Sequence, residues 1–225
     1  MNSVVIAAAG SGKRFGTDIP KQFHMLGGRP ILVHTLEKFE SCDAVDEMVI
    51  AVSEGHLERA ERLIDDAGFA KVSAVVAGGD TRTLSVANGF AAVSNDADVV
   101  AVHDAARPFV TPDEITAVIE KAAETGAACL VAAVVDTIKE VSGGAIVRTI
   151  DRTKLRRALT PQAFRYSILE KALADVVGDA TDEAVLVEML GVSVACVEGG
   201  GRNIKITTPD DILIAESFLR SENEI

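Results

Sequence analysis

Short apolar runs alternate with longer amphipathic segments along most of the chain. The runs predict buried strands over residues 4–8, 48–52, 72–78, 98–104, 129–135 and 192–197. Apolar residues recur at helical spacing between them, over residues 30–39, 54–66, 80–93 and 115–124. Strand and helix units joined by short loops predict an α/β fold, a Rossmann-like, mostly parallel mixed sheet with helices on both faces.

Residues 136–159 interrupt this alternation. The segments DTIKEV and AIVRTIDR flank a Gly143-Gly144 turn and predict a protruding β-hairpin with little apolar alternation of its own. Because a two-stranded ribbon is marginally stable alone, we expect an arm that embraces a second subunit and makes a homodimer. The alternative is a hairpin folded back on its own domain.

The remaining pattern is helical apart from the last predicted strand. Helices are expected over residues 166–176 and 181–190, with Thr181 as the N-cap of the second, and a final helix is expected from Pro209 onward. No internal repeat, linker or low-complexity tract is found. Residues 1–225 are therefore predicted to form a single domain that carries the arm.

The bulk composition narrows the choice of partners. A 48% apolar content is enough for a sizeable core, and a formal charge of −12 argues against broad affinity for nucleic acid or anionic membranes. Three cysteines without CxxC spacing are expected to be buried side chains in a reducing cytoplasm. A signal sequence and an apolar run of membrane-spanning length are both missing, so we expect a cytoplasmic protein.

The segment after the first predicted strand stands out because it is basic. Its glycines, Gly10, Gly12 and Gly16, let backbone N–H groups approach a ligand, and Arg14 and Lys21 add positive charge. Phosphate is the ligand that fits this combination best. The segment lacks the Gly-Lys-Ser/Thr ending of a P-loop, and its glycine spacing differs from the dinucleotide-binding G-x-G-x-x-G.

The basic, glycine-containing segment resembles a motif of a known family. AAAGSGKRFG followed by PKQ resembles the signature of pyrophosphorylase-like nucleotidyltransferases, in the short form found in cytidylyltransferases that act on sugar-alcohol phosphates. Further matches to that family run along the whole chain: GGDTRTLSV, VHDAARPF, DTIKEV, TIDR, LTPQAF, TDEA and NIKITTPDD. The chain is identified on these motifs as a member of the sugar-alcohol phosphate cytidylyltransferases.

The resemblance implies a reaction. CMP would pass from CTP to the phosphate of 2-C-methyl-D-erythritol 4-phosphate, with release of pyrophosphate, in non-mevalonate isoprenoid biosynthesis. Ribitol 5-phosphate is the alternative acceptor, favoured in relatives by Ser or Val within HDxxRP, where this chain has Ala105 and Ala106. A third possibility is a nucleotide-binding module without catalysis, against which Arg14, Lys21 and the charged residues below count.

The resemblance also implies roles for individual residues. The catalytic cations are Arg14, Lys21 and Lys205. The expected CTP contacts are Ala8, Ala9, Gly10, Gly12, Gly79, Asp80, Ser85 and Ala105. The expected acceptor contacts are Asp104, Arg107, Thr137, Thr181, Lys205 and, from a neighbouring subunit, Arg152.

Asp104 is the expected Mg²⁺ ligand. It ends the fourth predicted strand, and Mg²⁺ with phosphate partners takes only one or two protein carboxylates. Lys205 is expected within a strand. The GGGRN loop before it lacks an acid that some relatives are expected to carry, so Glu198 or Asp210 would have to substitute.

Overall fold

The computed structural model describes residues 1–10, 12, 15, 19–174 and 179–223. Within them the strands are β1 (Asn2–Ala8), β2 (Met25–Leu26), β3 (Arg29–Pro30), β4 (Glu47–Val52), β5 (Val72–Ala77), β6 (Val99–Asp104), β7 (Ala127–Ala133), β8 (Lys139–Ser142), β9 (Ala145–Thr149), β10 (Arg156–Arg165) and β11 (Ala195–Glu198). The α-helices are α1 (Ile31–Glu40), α2 (Leu57–Ala67), α3 (Arg82–Phe90), α4 (Pro112–Thr125), α5 (Tyr166–Ala174), α6 (Glu183–Met189) and α7 (Pro209–Asn223).

Seven of these strands form one mixed sheet in the order β11-β7-β10-β6-β1-β4-β5. The pairs β1–β4, β1–β6, β4–β5 and β7–β11 are parallel, and β10 runs antiparallel between β6 and β7. The predicted fold class, a mostly parallel mixed sheet, is confirmed. Since β1 lies between β4 and β6, the loops at the carboxyl ends of these strands meet at one edge of the sheet.

Helices cover both faces of the sheet, as the strand pattern predicts. Val4 and Ile6 of β1 lie in a core cluster with residues of α1, α2 and α4. Val5 points the other way and lies in a second cluster with residues of α3, α5 and α6. This alternation buries both faces of the strand, which explains why its sequence is apolar at nearly every position.

The antiparallel strand β10 is the main difference from the prediction. The sequence pattern predicts no strand over residues 160–164, yet β10 covers Arg156–Arg165. The register of β10 against β7 shifts between Ala158 and Gln162, and Pro161 has no N–H to donate, so a regular strand pattern is missing. Residues 156–159, assigned to the arm, also belong to this strand.

The predicted hairpin is present as β8 and β9, joined through Gly143 and Gly144, both at positive φ. Every residue of the two strands is exposed. They include three large apolar side chains, Val141 (59% exposed), Ile146 (65%) and Val147 (58%). The hairpin therefore does not fold back on the core of its own chain, and what covers it stays a prediction.

Two smaller expectations are wrong. Asp182, not Thr181, caps α6, because its carboxylate accepts from the Val185 N–H at 3.1 Å. Cys196 is exposed, whereas Cys42 and Cys129 are buried as expected, because β11 is an edge strand. Within the described residues, no helix is both long enough and apolar enough to cross a membrane.

Candidate active site

A cleft of about 410 Å³ opens at the carboxyl ends of β1 and β6. Parallel pairing sets Ala7 opposite Asp104, so the loops after both strands line the same cleft. Ligands of open α/β sheets bind beyond these strand ends. The predicted residues that line the cleft are Ala8, Ala9, Gly10, Gly12, Lys21, Gly79, Asp80, Ser85, Asp104, Ala105 and Lys205.

Ser85 shapes one wall of the cleft. Its hydroxyl accepts from the Gly79 N–H at 3.1 Å and donates to the Thr81 carbonyl at 2.8 Å, which ties the loop after β5 to the first turn of α3. A Cβ at Gly78 would lie 2.4 Å from the Cβ of Ala9. Because the two loops come this close together, a side chain larger than that of glycine does not fit at position 78.

Gln22 also lines the cleft, although the sequence did not predict it as a site residue. It is buried and donates its side-chain amide to the carbonyl of Ala8. Its neighbour Lys21 comes close to Gly12, where φ is +64° and a Cβ would lie 3.1 Å from the Lys21 nitrogen. The glycine therefore allows the basic residue to approach the loop. PKQ in the sequence was the available signal for Gln22.

Asp104 is the centre of a buried cluster of charges. Its carboxylate lies 2.8 Å from the Lys205 ammonium, 3.1 Å from Nε of Arg82 and 3.4 Å from Nε of Arg107. Burial alone would raise the pKa of Asp104, but the three cations outweigh it and hold the pKa well below its ordinary value. The carboxylate is ionised at neutral pH.

Arg82 joins this cluster to a second buried acid, and neither residue was predicted. Arg82 Nη1 donates to Glu183 Oε1 at 2.5 Å, and the Glu183 side chain is 1% exposed. Burial would lower the pKa of Arg82, but the two carboxylates raise it, so the guanidinium stays charged. GGDTR and TDEA were recognised as motifs, but their sequences do not say that these two side chains meet.

His103 holds the turn that carries Asp104. Its ring nitrogens lie 3.1 Å from the Thr160 hydroxyl and 3.1 Å from the Arg107 carbonyl, and the same hydroxyl accepts from the Asp104 N–H at 3.1 Å. Burial lowers the pKa of His103 to about 3 despite the adjacent Asp104, so the ring is neutral. These contacts give His103 a structural role.

Lys205 reaches the cluster from a segment that is not a strand, contrary to the prediction. The next residue, Ile206, is fully buried beside Phe109 and donates its N–H to the Ala106 carbonyl at 2.8 Å. This bond fixes the segment against the loop after β6. Packing of Ile206 therefore holds the lysine in place without a ladder of strand pairing.

A smaller cavity of about 90 Å³ lies beside the cleft. The predicted acceptor residues that line it are Asp104, Arg107, Thr181 and Lys205. Three residues line both cavities, namely Arg82, Asp104 and Lys205. The charged cluster is therefore the boundary between two adjoining spaces.

Some predicted residues are not brought to this boundary. Thr137 and Arg152 line neither cavity; both are exposed near the base of the arm, where Arg152 donates to the Val135 carbonyl. Arg14 lies outside the described residues. The roles given to these three residues stay predictions.

The acids expected to substitute in the GGGRN loop do not reach the site. Glu198 pairs with Arg156 at 2.5 Å, and neither it nor Asp210 is among the described residues that line these two cavities. The loop is held instead by Glu114, which accepts from the Gly200 N–H at 2.6 Å. That acid comes from the start of α4, a distant part of the sequence, and the same carboxyl group completes a capping box with Thr111 there.

Acid titration tests the charge state of Asp104. Because its folded pKa is lowered, the stabilisation is present above the unfolded pKa of about 4 and is lost as pH falls further. Below about pH 4, wild type should lose up to about 1.4 kcal/mol of unfolding free energy per pH unit more than Asp104→Asn. Guanidinium unfolding followed by circular dichroism across this acid range measures the difference. The exposed control Asp43→Asn should keep the wild-type slope, and equal slopes for wild type and Asp104→Asn would refute the assignment.

Comparison with known proteins gives matches over nearly the whole chain. The family model described as 2-C-methyl-D-erythritol 4-phosphate cytidylyltransferase matches residues 2–221. The chain is 45% identical over 220 residues to the protein of that name from Halalkalibacterium halodurans, with 96% of each chain covered. The crystal structure of the Thermus thermophilus protein of that name has a TM-score of 0.79 at 36% identity, covering 96% of this chain and 98% of that one. A 4-diphosphocytidyl-2C-methyl-D-erythritol synthase from Anaerococcus prevotii has a TM-score of 0.85 at 27% identity, covering 97% and 96%.

Proposed function

The chain belongs to the 2-C-methyl-D-erythritol 4-phosphate cytidylyltransferase family, and on this premise we propose that it joins CTP to 2-C-methyl-D-erythritol 4-phosphate at the boundary between its two cavities. The products are 4-diphosphocytidyl-2-C-methyl-D-erythritol and pyrophosphate, in the non-mevalonate route to isoprenoids. The larger cavity takes CTP and the smaller one takes the phosphate end of the acceptor.

One observation carries this assignment: Arg82, Asp104 and Lys205 line both cavities. A transfer between two phosphates needs both of them beside the same charges, because the reacting atoms must approach while their negative charges repel. A cluster shared by two adjoining spaces supplies that arrangement. A module that only bound a nucleotide would have no use for the second cavity.

The chemistry follows from the substrates. An oxygen of the acceptor phosphate attacks the α-phosphorus of CTP, and the bond from that phosphorus to the α–β bridging oxygen breaks, so pyrophosphate leaves with the electron pair. The attacking oxygen is already ionised at neutral pH, so no general base is required. Lys21, Lys205 and, by resemblance, Arg14 stabilise the charge that develops on the α-phosphate and the leaving group.

The donor set fits a magnesium ion bound together with phosphates. Asp104 is ionised and lines the cleft, and among the described residues no three His, Cys, Asp or Glu side chains form a group that could hold a metal alone. Mg²⁺ at phosphate-binding sites is usually coordinated by one or two protein carboxylates together with the substrate phosphates, so a single carboxylate is sufficient here. When bound, the ion neutralises phosphate charge, and Asp104 is the residue that would hold it.

A pyrophosphate-release assay tests the function. Wild type with CTP should release pyrophosphate with 2-C-methyl-D-erythritol 4-phosphate in preference to ribitol 5-phosphate, and Lys21→Ala should be strongly impaired with both. Faster release with ribitol 5-phosphate would overturn the acceptor assignment. No release with either acceptor would favour a binding module without catalysis.

The arm formed by β8 and β9 is proposed to embrace a second copy of the chain, whose site Arg152 would then reach. Three apolar side chains of the arm are exposed in the single chain. Residues 136–159 contain six basic and three acidic residues, a formal charge of +3, whereas the whole chain carries −12. Both properties favour contact with the acidic surface of another copy over exposure to solvent.

Light scattering tests the arm. Wild type should be a dimer at micromolar concentration, and the double substitution Val141→Asp and Ile146→Asp should make it a monomer because it places charges in the apolar contact. The control Leu213→Asp changes a similarly exposed apolar residue on α7 and should leave the dimer intact. A monomeric wild type would end this proposal.

A further inference from the structure

Arg82 lies between two carboxylates, those of Asp104 and Glu183. Its Nε donates to Asp104 Oδ1 at 3.1 Å, and its Nη1 donates to Glu183 Oε1 at 2.5 Å. A guanidinium has five N–H donors, so these two contacts leave others for an anion. Since Arg82 lines both cavities, a phosphate in either of them can serve as that anion.

Asp104 has three cationic partners among the described residues, whereas Glu183 has one. Asp104 is shared with Arg107 and Lys205, and every one of its cations gains a competing anion when phosphates enter the cavities. Glu183 is fully buried, and Arg82 is its one ion-pair partner among the described residues. Substrate phosphates would therefore compete directly for the three cations of Asp104, whereas the carboxylate of Glu183 lies buried outside both cavities.

Helix capping does not account for Glu183. It begins α6, but the cap is supplied by the carboxylate of Asp182. The second oxygen of Glu183, Oε2, is buried and has no hydrogen-bond partner within the part of the chain that the structure describes. A buried acid with an unsatisfied oxygen lowers the stability of the fold. A gain in stability therefore does not explain why Glu183 is placed beside Arg82.

We infer that Glu183 is a positioning residue that holds Arg82 at the boundary between the two cavities throughout the transfer. The inference rests on the proposed function. With the guanidinium tethered, its remaining N–H groups face the phosphates from a fixed point. Without the tether, Arg82 is free to pair with the triphosphate of CTP before the acceptor arrives, which stabilises the ground state rather than the transition state.

The first test separates positioning from binding. Glu183→Gln keeps the shape of the side chain but removes its charge, and kcat should fall about 10–100-fold, the loss that is typical when a residue that orients a metal ligand is replaced. The KM for CTP should stay equal or decrease, because the released Arg82 still binds phosphate. Glu188→Gln, an exposed substitution on the same helix, should leave both constants unchanged. A wild-type kcat in Glu183→Gln would overturn the inference.

The second test asks whether Glu183 acts through Arg82. In an Arg82→Met background, adding Glu183→Gln should lower kcat no further and should raise the melting temperature, because the single substitution leaves a buried carboxylate unpaired. Independent, multiplying losses of kcat would show a general structural role and overturn the inference. An inactive wild type would instead refute the proposed function, so the two failures are distinguishable.

Discussion

Replacing Lys205 with alanine is expected to lower kcat by about 10²–10³-fold, the usual loss on removing one preorganised charge that stabilises a transition state. The ammonium of Lys205 lies 2.8 Å from Asp104 and lines both cavities, so it can follow the charge as it moves from the attacking phosphate to the leaving group. Because this charge is needed most in the transition state, the KM values should change less than kcat. Steady-state pyrophosphate release measures both.

Two further variants sharpen this test. Lys205→Arg retains the charge with a different shape and should recover part of the activity. Lys171→Ala removes an exposed lysine from α5, outside both cavities, and should behave as wild type. An unchanged kcat in Lys205→Ala would contradict the role given to the shared cluster.

Removal of divalent cations is expected to abolish turnover, and added Mg²⁺ is expected to restore it. The reaction brings two polyanions together. Among the described residues of the cluster, three cations face the two carboxylates of Asp104 and Glu183, which leaves only a small excess of positive charge. Turnover measured after treatment with a chelator, followed by Mg²⁺ titration, gives the concentration required. Asp104→Asn should require more Mg²⁺ than wild type.

The matched control for this titration is Glu198→Gln. Glu198 pairs with Arg156 and lines neither cavity, so its replacement should leave the Mg²⁺ requirement as in wild type. Undiminished activity in the presence of chelator, or the same requirement in Asp104→Asn as in wild type, would refute the metal role given to Asp104.

The buried parallel strands could be predicted because burial on both faces leaves a continuous apolar run. β1 and β6 are recognised from this property alone. β10 was missed because its pairing shifts register near Pro161, and such an irregularity depends on the neighbouring strands rather than on the strand's own sequence. The hairpin was predicted from the Gly143-Gly144 turn between two strand-like segments, which is a local signal that does not depend on packing against a core.

The site could be predicted as far as local sequence determines it. The apolar runs of β1 and β6 predict these two strands, and the glycines and the acid that follow these runs in the sequence are therefore predicted to lie at the strand ends. The contact between Arg82 and Glu183 joins positions 101 residues apart, and Gln22 matters only because a carbonyl of β1 lies within its reach. Contacts of this kind follow from the packing of separate segments, so a motif can mark such residues without giving their partners.

The most direct test of the central claim is product analysis by ³¹P NMR. Wild-type protein incubated with CTP, 2-C-methyl-D-erythritol 4-phosphate and Mg²⁺ should form a new diphosphate, seen as two coupled phosphorus signals, and one equivalent of pyrophosphate. This pattern means that the acceptor phosphate has displaced pyrophosphate from CTP. Release of inorganic phosphate, or pyrophosphate with free CMP and an unchanged acceptor, would mean that water is the nucleophile and would contradict the account.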